Sequence, residues 1–165
     1  MATQLLVVVK NHDKANELVQ KLLKNSIDKY AISVIAKGKD DFELDKENQD
    51  IATWGKLGAG WGAIIGLLVG AFASFVPGFG PIVAAGPVIS SLAGAVGGAT
   101  VVGGLSAVTA WLVDIGIEEM EAKEYEKYLK DGYSIVIIEG KDALKAKELV
   151  ENDDNIEQVK FYKES

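Results

Sequence analysis

LGAGWGAIIGLLVGAFASFV (Leu57–Val76) and VISSLAGAVGGATVVGGLSAVTAWLV (Val88–Val113) flank the tract PGFGPIVAAGP (Pro77–Pro87), and none of the three holds an Asp, Glu, Lys or Arg. Every charged residue of the 165-residue chain therefore lies before Leu57 or after Val113. A solvated domain spreads charge over its surface because most helices and loops need a wet face. An uncharged run this long needs a cover of protein or lipid.

The paired Pro and Gly of Pro77, Gly78, Gly80 and Pro81, with Gly86 and Pro87 close behind, mark a turn that divides the run into two arms. As a helix rising ~1.5 Å per residue, the first arm would be ~30 Å long, about one hydrocarbon thickness. Gly58, Gly62, Gly66 and Gly70 recur every four residues and form one stripe. Ser90, Gly94 and Gly98 repeat the interval on the second arm, and Gly103 joins Ala95, Ala99 and Ala107 in another. Glycine costs roughly 1 kcal/mol against alanine inside a helix. Close backbone approach between helices offsets that cost at small-residue stripes. The expectation is a glycine-zipper helical hairpin, with these residues at a helix-packing, oligomer or membrane interface. Trp54, Trp61 and Trp111 lie toward the charged ends of the arms, where tryptophans anchor at membrane interfaces. Packing of the arms in an ordinary soluble core is the competing reading.

The flanks carry a different pattern. Leu5–Lys10 is a short apolar run. Ala15, Leu18, Val19, Leu22 and Leu23 then recur at helical spacing, and Tyr30–Ala36 is rich in strand formers. After the insert, Ile117–Lys130 is a charged helix with Glu119–Lys123 and Glu126–Lys130 pairs and Gly132 as its stop. Tyr133–Ile138, Ala143–Val150 and Ile156–Tyr162 complete a strand–helix–strand unit. Two such halves predict an α+β, ferredoxin-like sheet, with a dimeric α+β barrel as the alternative. The expected division is residues 1–44 and 117–165 for the two halves, and 45–116 for the insert. Leu5–Val9 and Ile135–Ile138 are apolar on both faces, so both need cover. Two helices shield one face. The insert, the extra helix or another subunit must shield the other.

Composition excludes several chemistries. With no cysteine and one histidine, disulfides, thiolate catalysis and multi-histidine metal sites are out. A net charge of −7 and the absence of arginine argue against nucleic acid as a partner. His12, beside Asn11 and Asp13, reads as a residue at the start of a helix rather than a general base. The acidic stretch from Asp40 to Asp50 lacks the order and central glycine of a calcium loop and reads as a solvated connector. The glycine-rich turn lacks the Lys and Ser or Thr of a phosphate loop. The chain is therefore expected to be no enzyme, with no cofactor, no metal and no catalytic residue. Only Leu5–Val9 precede Lys10 as an apolar run, too few for a secretory signal core. The expected location is the cytoplasm, with inner-membrane attachment through residues 57–113 as a further option.

The tract Val76–Pro87, the run Gly116-Ile117-Glu118-Glu119-Met120-Glu121-Ala122, the pair Tyr125-Glu126, and Lys130-Asp131-Gly132 before a Val- and Ile-rich strand together resemble the bacterial general stress and low-temperature-induced protein family. Glu118 departs from it, since the family usually has proline there; both suit a first helical turn. The resemblance implies a stress-associated protein with a ferredoxin-like frame and a Gly-rich insert, and carries no catalytic residues to transfer. The expected function is self-association, with engagement of membrane lipid through the hairpin. A soluble homo-oligomeric scaffold and a small-ligand-binding regulatory domain are the alternatives.

Overall fold

The computed structural model describes residues 3–38, 68, 70–76, 79–97 and 106–163. In chain order it forms β1 (Thr3–Val9), α1 (His12–Lys24), a 3₁₀ turn (Lys29–Ala31), β2 (Ile32–Lys37), β3 (Ala71–Val76) and β4 (Gly80–Ala85). There follow α2 (Ile89–Gly97), α3 (Ala107–Asp114), α4 (Glu119–Lys130), β5 (Ser134–Glu139), α5 (Asp142–Val150) and β6 (Ile156–Lys163). The protein is thus mixed α and β, with five described α-helices and one six-stranded antiparallel sheet in the order β3-β4-β2-β5-β1-β6.

Local chemistry explains the flanking elements. Asn11 caps α1 by accepting from Lys14 N at 2.9 Å, Asp13 sits in the first turn, and Lys21 and Lys24 sit in the last. Those charges complement the helix dipole. Ala15, Leu18, Val19 and Leu22 are buried on one stripe. Each large one contributes about 1.5–3 kcal/mol of hydrophobic stabilisation. In α4, Lys123 pairs with Glu119 at 3.9 Å as its spacing predicts. Glu126 instead turns to hydroxyls on α3.

Alternation along the central strands sorts their side chains into two cores. Leu5, Val7, Val9, Val136 and Ile138 meet α1 and α5 on one face. Leu6, Val8, Ile135 and Ile137 meet α2, α3 and α4 on the other. The two-faced apolar strands are therefore covered within one chain, by described parts of the insert and by the extra helix. The layers run helix, sheet, helix.

The first arm differs from expectation. Ala71–Val76 is a strand, paired antiparallel with β4 from Ala71↔Ala85 to Val76↔Gly80. The proline–glycine tract, expected as a turn between helical arms, instead contains the strand β4. Pairing explains the choice. β4 docks on β2 with Val34↔Ala85 through Lys37↔Ile82, which places Val83 and Ala85 in one core and Ile82 and Ala84 in the other. A continuous apolar run fits a strand buried on both faces as well as it fits a helix, and a vacant sheet edge decides between them. Gly70, at φ +80°, breaks any helix before β3. The second arm is helical where described, at α2 and α3. The remainder of the arms, residues 57–67, 69 and 98–105, lies outside the described residues, as does 39–56.

Candidate interaction surface

Only part of the expected packing set lies among the described residues. Gly58, Gly62, Gly66, Gly98 and Gly103, with Pro77 and Gly78 of the turn, fall outside the described residues. Gly70 directly precedes β3, and a Cβ there would lie 3.1 Å from Ile89 Cδ1. Gly80, at φ +109°, and Pro81 open β4. Gly86 and Pro87 turn the chain from β4 into α2. At Gly86 the backbone has φ +107°, and a Cβ would meet Ile32 O at 2.4 Å and Ser33 Cα at 2.7 Å. Ser33 Oγ then accepts from Val88 N at 3.2 Å. Of the stripe Ser90, Gly94 and Gly98, only Ser90 and Gly94 lie in a described helix. Both are exposed on α2, and a Cβ on Gly94 would touch nothing within 4 Å.

That outer face is fixed from beneath. Trp111 is fully buried, and its Nε1 donates to Ser91 Oγ at 3.0 Å; Ser91 Oγ in turn donates to Val88 O at 3.0 Å. Trp111 is thus a core residue tying α3 to α2, and the expectation of an interfacial tryptophan fails there. Its ring fills the space between sheet and helices. Trp54 and Trp61 lie outside the described residues. Ser106 caps α3, accepting from Thr109 N at 3.2 Å while its hydroxyl donates to Glu126 of α4. Thr109 Oγ1 donates to the other oxygen of Glu126 at 3.2 Å. Gln4 Nε2 donates to Ile115 O at 2.5 Å. These bonds hold α2, α3 and α4 in one position over the sheet. Ser90, Gly94, Ala110 and Val113 remain exposed on α2 and α3, with no charge between Leu57 and Val113 to hydrate them.

A second polar cluster fastens α4 to the β6 edge. Tyr162 OH donates to Glu121 Oε2 at 2.8 Å and lies 2.8 Å from Tyr125 OH, and Lys160 pairs with the other Glu121 oxygen. Burial pushes the phenols of both Tyr125 and Tyr162 upward, Tyr162 far above the usual tyrosine range. Both stay neutral where enzymes work, which suits a structural latch and not a base.

A cleft of about 360 Å³ opens beside the C-terminal half of α4. It is lined by Glu124, Lys127, Tyr128, Asp131 and Tyr133, with the two rings edge to face at 5.2 Å. It holds charges of both signs and no nucleophile beside a base. His12 lies at the start of α1, with Nε2 3.6 Å from Asp13 Oδ1. The acidic stretch 40–50 lies outside the described residues. Among the described residues no group of three His, Asp or Glu could hold a metal ion, and no helix is long and apolar enough to cross a membrane.

No family model, curated protein or solved structure matches the chain. Sequence reasoning missed the two hydroxyl–carboxylate clusters, because no local spacing links Ser106 to Glu126 or Glu121 to Tyr162. It also missed β3 and β4. A signal for them existed: two six-residue runs of strand-compatible residues separated by Pro77-Gly78-Phe79 match a hairpin with a short loop.

Proposed function

We propose that this protein is a non-enzymatic domain that acts by self-association through its uncharged segment, residues 57–113. The observation that carries the reading is the exposure of Ser90, Gly94, Ala110 and Val113 on α2 and α3, within a run that holds no charge before Asp114, on a chain of net charge −7. By contrast, the neighbouring α4 exposes Glu119, Lys123, Glu124, Lys127 and Lys130. Like charge elsewhere on the chain opposes association, so contact through the uncharged segment carries the smallest repulsive cost.

The fold supports a binding frame. Strands β6-β1-β5-β2, with α1 and α5 on one face, follow the 4-1-3-2 order of a ferredoxin-like sheet when numbered among themselves. We read them as that unit, extended at β2 by the β4–β3 hairpin. The resemblance of Val76–Pro87 and Gly116–Gly132 to the stress-protein family supports a role in the stress response. Light scattering on the full chain without detergent tests the reading: a discrete oligomer is expected, and a monomer at every concentration refutes it.

Lipid engagement is the second reading, favoured by Val113, 39% exposed at the end of α3, and Met120, 80% exposed at the start of α4. Flotation with neutral phosphatidylcholine vesicles tests it. Protein left entirely at the bottom of the gradient would remove it.

A further inference from the structure

We propose that two copies of this chain join edge to edge through β3, antiparallel and centred on Ala73, so that their sheets become continuous; the inference rests on the self-association reading and specifies its geometry. Sheet order places β3 at one edge, with β4 as its hydrogen-bonded neighbour on one side and none among the described residues on the other. The register shows which backbone groups the edge presents. Gly38 N donates to Pro81 O at 3.0 Å, so Pro81, and with it Val83 and Ala85, direct their main-chain groups toward β2. Gly80, Ile82 and Ala84 therefore face β3, where they pair with Val76, Ser74 and Phe72. Alternation leaves Ala71, Ala73 and Phe75 with N–H and C=O pointing away from the sheet.

That set is self-complementary. A two-fold axis at Ala73 opposes Ala73 to Ala73, Ala71 to Phe75 and Phe75 to Ala71. All three pairs then exchange both hydrogen bonds, and no outward group of β3 is left over. An isologous contact of this kind closes at two copies rather than growing into a filament.

The two edges of the sheet differ in a way that favours this occupant. β6, IEQVKFYK, carries Glu157, Lys160 and Lys163, and its pairing with β1 shifts register between Val8 and Val9. Charges and a bulge are the ordinary means of keeping an edge from pairing. β3, AFASFV, has no charge, no proline and no register shift against β4. Each chain carries net charge −7, yet neutral edges meet with no like charges opposed.

Three readouts on the full chain test the register. The natural sequence has no cysteine, so single-cysteine variants report cleanly. In an Ala73→Cys variant the two cysteines would be direct partners, with Cα atoms about 5.5 Å apart, within disulfide range. In a Ser74→Cys variant they would be diagonal neighbours at roughly 7–8 Å, beyond that range. Mild oxidation should therefore link Ala73→Cys into dimers and leave Ser74→Cys unlinked. Ser74→Lys, a charge of the kind that protects β6, should weaken dimerisation at least about tenfold in sedimentation equilibrium. Because Ala73 is buried and its substitution could impair folding, amide exchange of the unaltered chain supplies a readout without substitution. The Ala71, Ala73 and Phe75 amides should exchange more slowly as protein concentration rises. A dimer in which these amides exchange fast at every concentration, or in which Ser74→Cys links as readily as Ala73→Cys, overturns edge pairing and leaves self-association through α2 and α3 standing. A monomer at all concentrations overturns both.

Discussion

Replacing Gly86 with alanine should destabilise the fold by several kcal/mol, because two independent costs fall on one methyl group. The first is conformational. Gly86 has φ +107°, where an L-residue with a Cβ is strained by about 1–3 kcal/mol. The second is steric. The new Cβ would lie 2.4 Å from Ile32 O and 2.7 Å from both Ser33 Cα and Ser33 Oγ. The first two contacts are backbone atoms of β2, a strand paired on both sides, so no side-chain rotation relieves them. Overpacking of this sort adds roughly 1–3 kcal/mol. The sum, about 2–6 kcal/mol, is a large part of the stability of a typical domain, ~5–15 kcal/mol. Urea unfolding followed by far-ultraviolet circular dichroism measures it, with the natural chain as reference and the slope compared to verify that both unfold the same surface. A shift in midpoint corresponding to less than about 0.5 kcal/mol would show that the β4–α2 corner does not pass against β2 as described. It would also remove the reason for placing α2 over the second face of the sheet.

Gly94→Ala separates two meanings of the glycine stripe. Since a Cβ there meets nothing within 4 Å, alanine should stabilise the chain by up to ~1 kcal/mol in thermal melts; a loss of oligomer mass in light scattering would instead mark Gly94 as a contact between copies. Ser106→Ala removes the α3 cap and one partner of Glu126, and should cost about 1 kcal/mol in urea unfolding; no change would discount the link between α3 and α4. Tyr125 and Tyr162 have phenols raised by burial above the unfolded value of 10.0, so the folded state holds their protons longer than the unfolded state does. Their stabilisation is complete below pH 10 and falls as pH rises beyond it; melting temperatures between pH 9 and 12 should drop, and the drop should shrink in Tyr162→Phe. Glu139 is also raised by burial and follows the same sign in a lower range: its stabilising protonated form is lost as pH rises and its charged form is penalised at neutral pH, so Glu139→Gln should raise the melting temperature at pH 7 and lose that advantage under acid conditions that protonate the native side chain.

The flanking elements were legible because their information is local. Asn11 before a helical stripe, the i,i+4 spacing of Glu119 and Lys123, and the β-branched runs at Ile32–Lys37 and Ser134–Glu139 each act within a few residues. Even the need for a second covering layer could be read, from Leu5–Val9 having no polar face. The first arm of the insert was not legible in the same way. From Gly70 to Ala85 the chain carries neither a charge nor a polar alternation that would assign a face, so periodicity does not separate strand from helix. The outcome there depends on β2, far upstream in the chain, offering an unpaired edge to β4. The tyrosine latch and the Ser106–Thr109–Glu126 cluster were hidden for the same reason: each joins elements that only the folded chain brings together.

This dependence on a distant edge also connects the fold to the proposed function. β4 pairs with β2 and so moves the open edge outward; β3 pairs with β4 and moves it again. Each addition covers one set of main-chain groups and exposes another, until a strand appears with a device that stops pairing. β6 has such a device in its charges and register shift, and β3 has none. Unpaired groups on a neutral, apolar strand lose little by leaving water when a matching strand arrives, because each desolvated N–H regains a carbonyl. The uncharged insert therefore does two things at once. It completes the core of its own chain through Ile82, Ala84, Leu92 and Trp111, and it ends the sheet on the one edge suited to continue into another molecule.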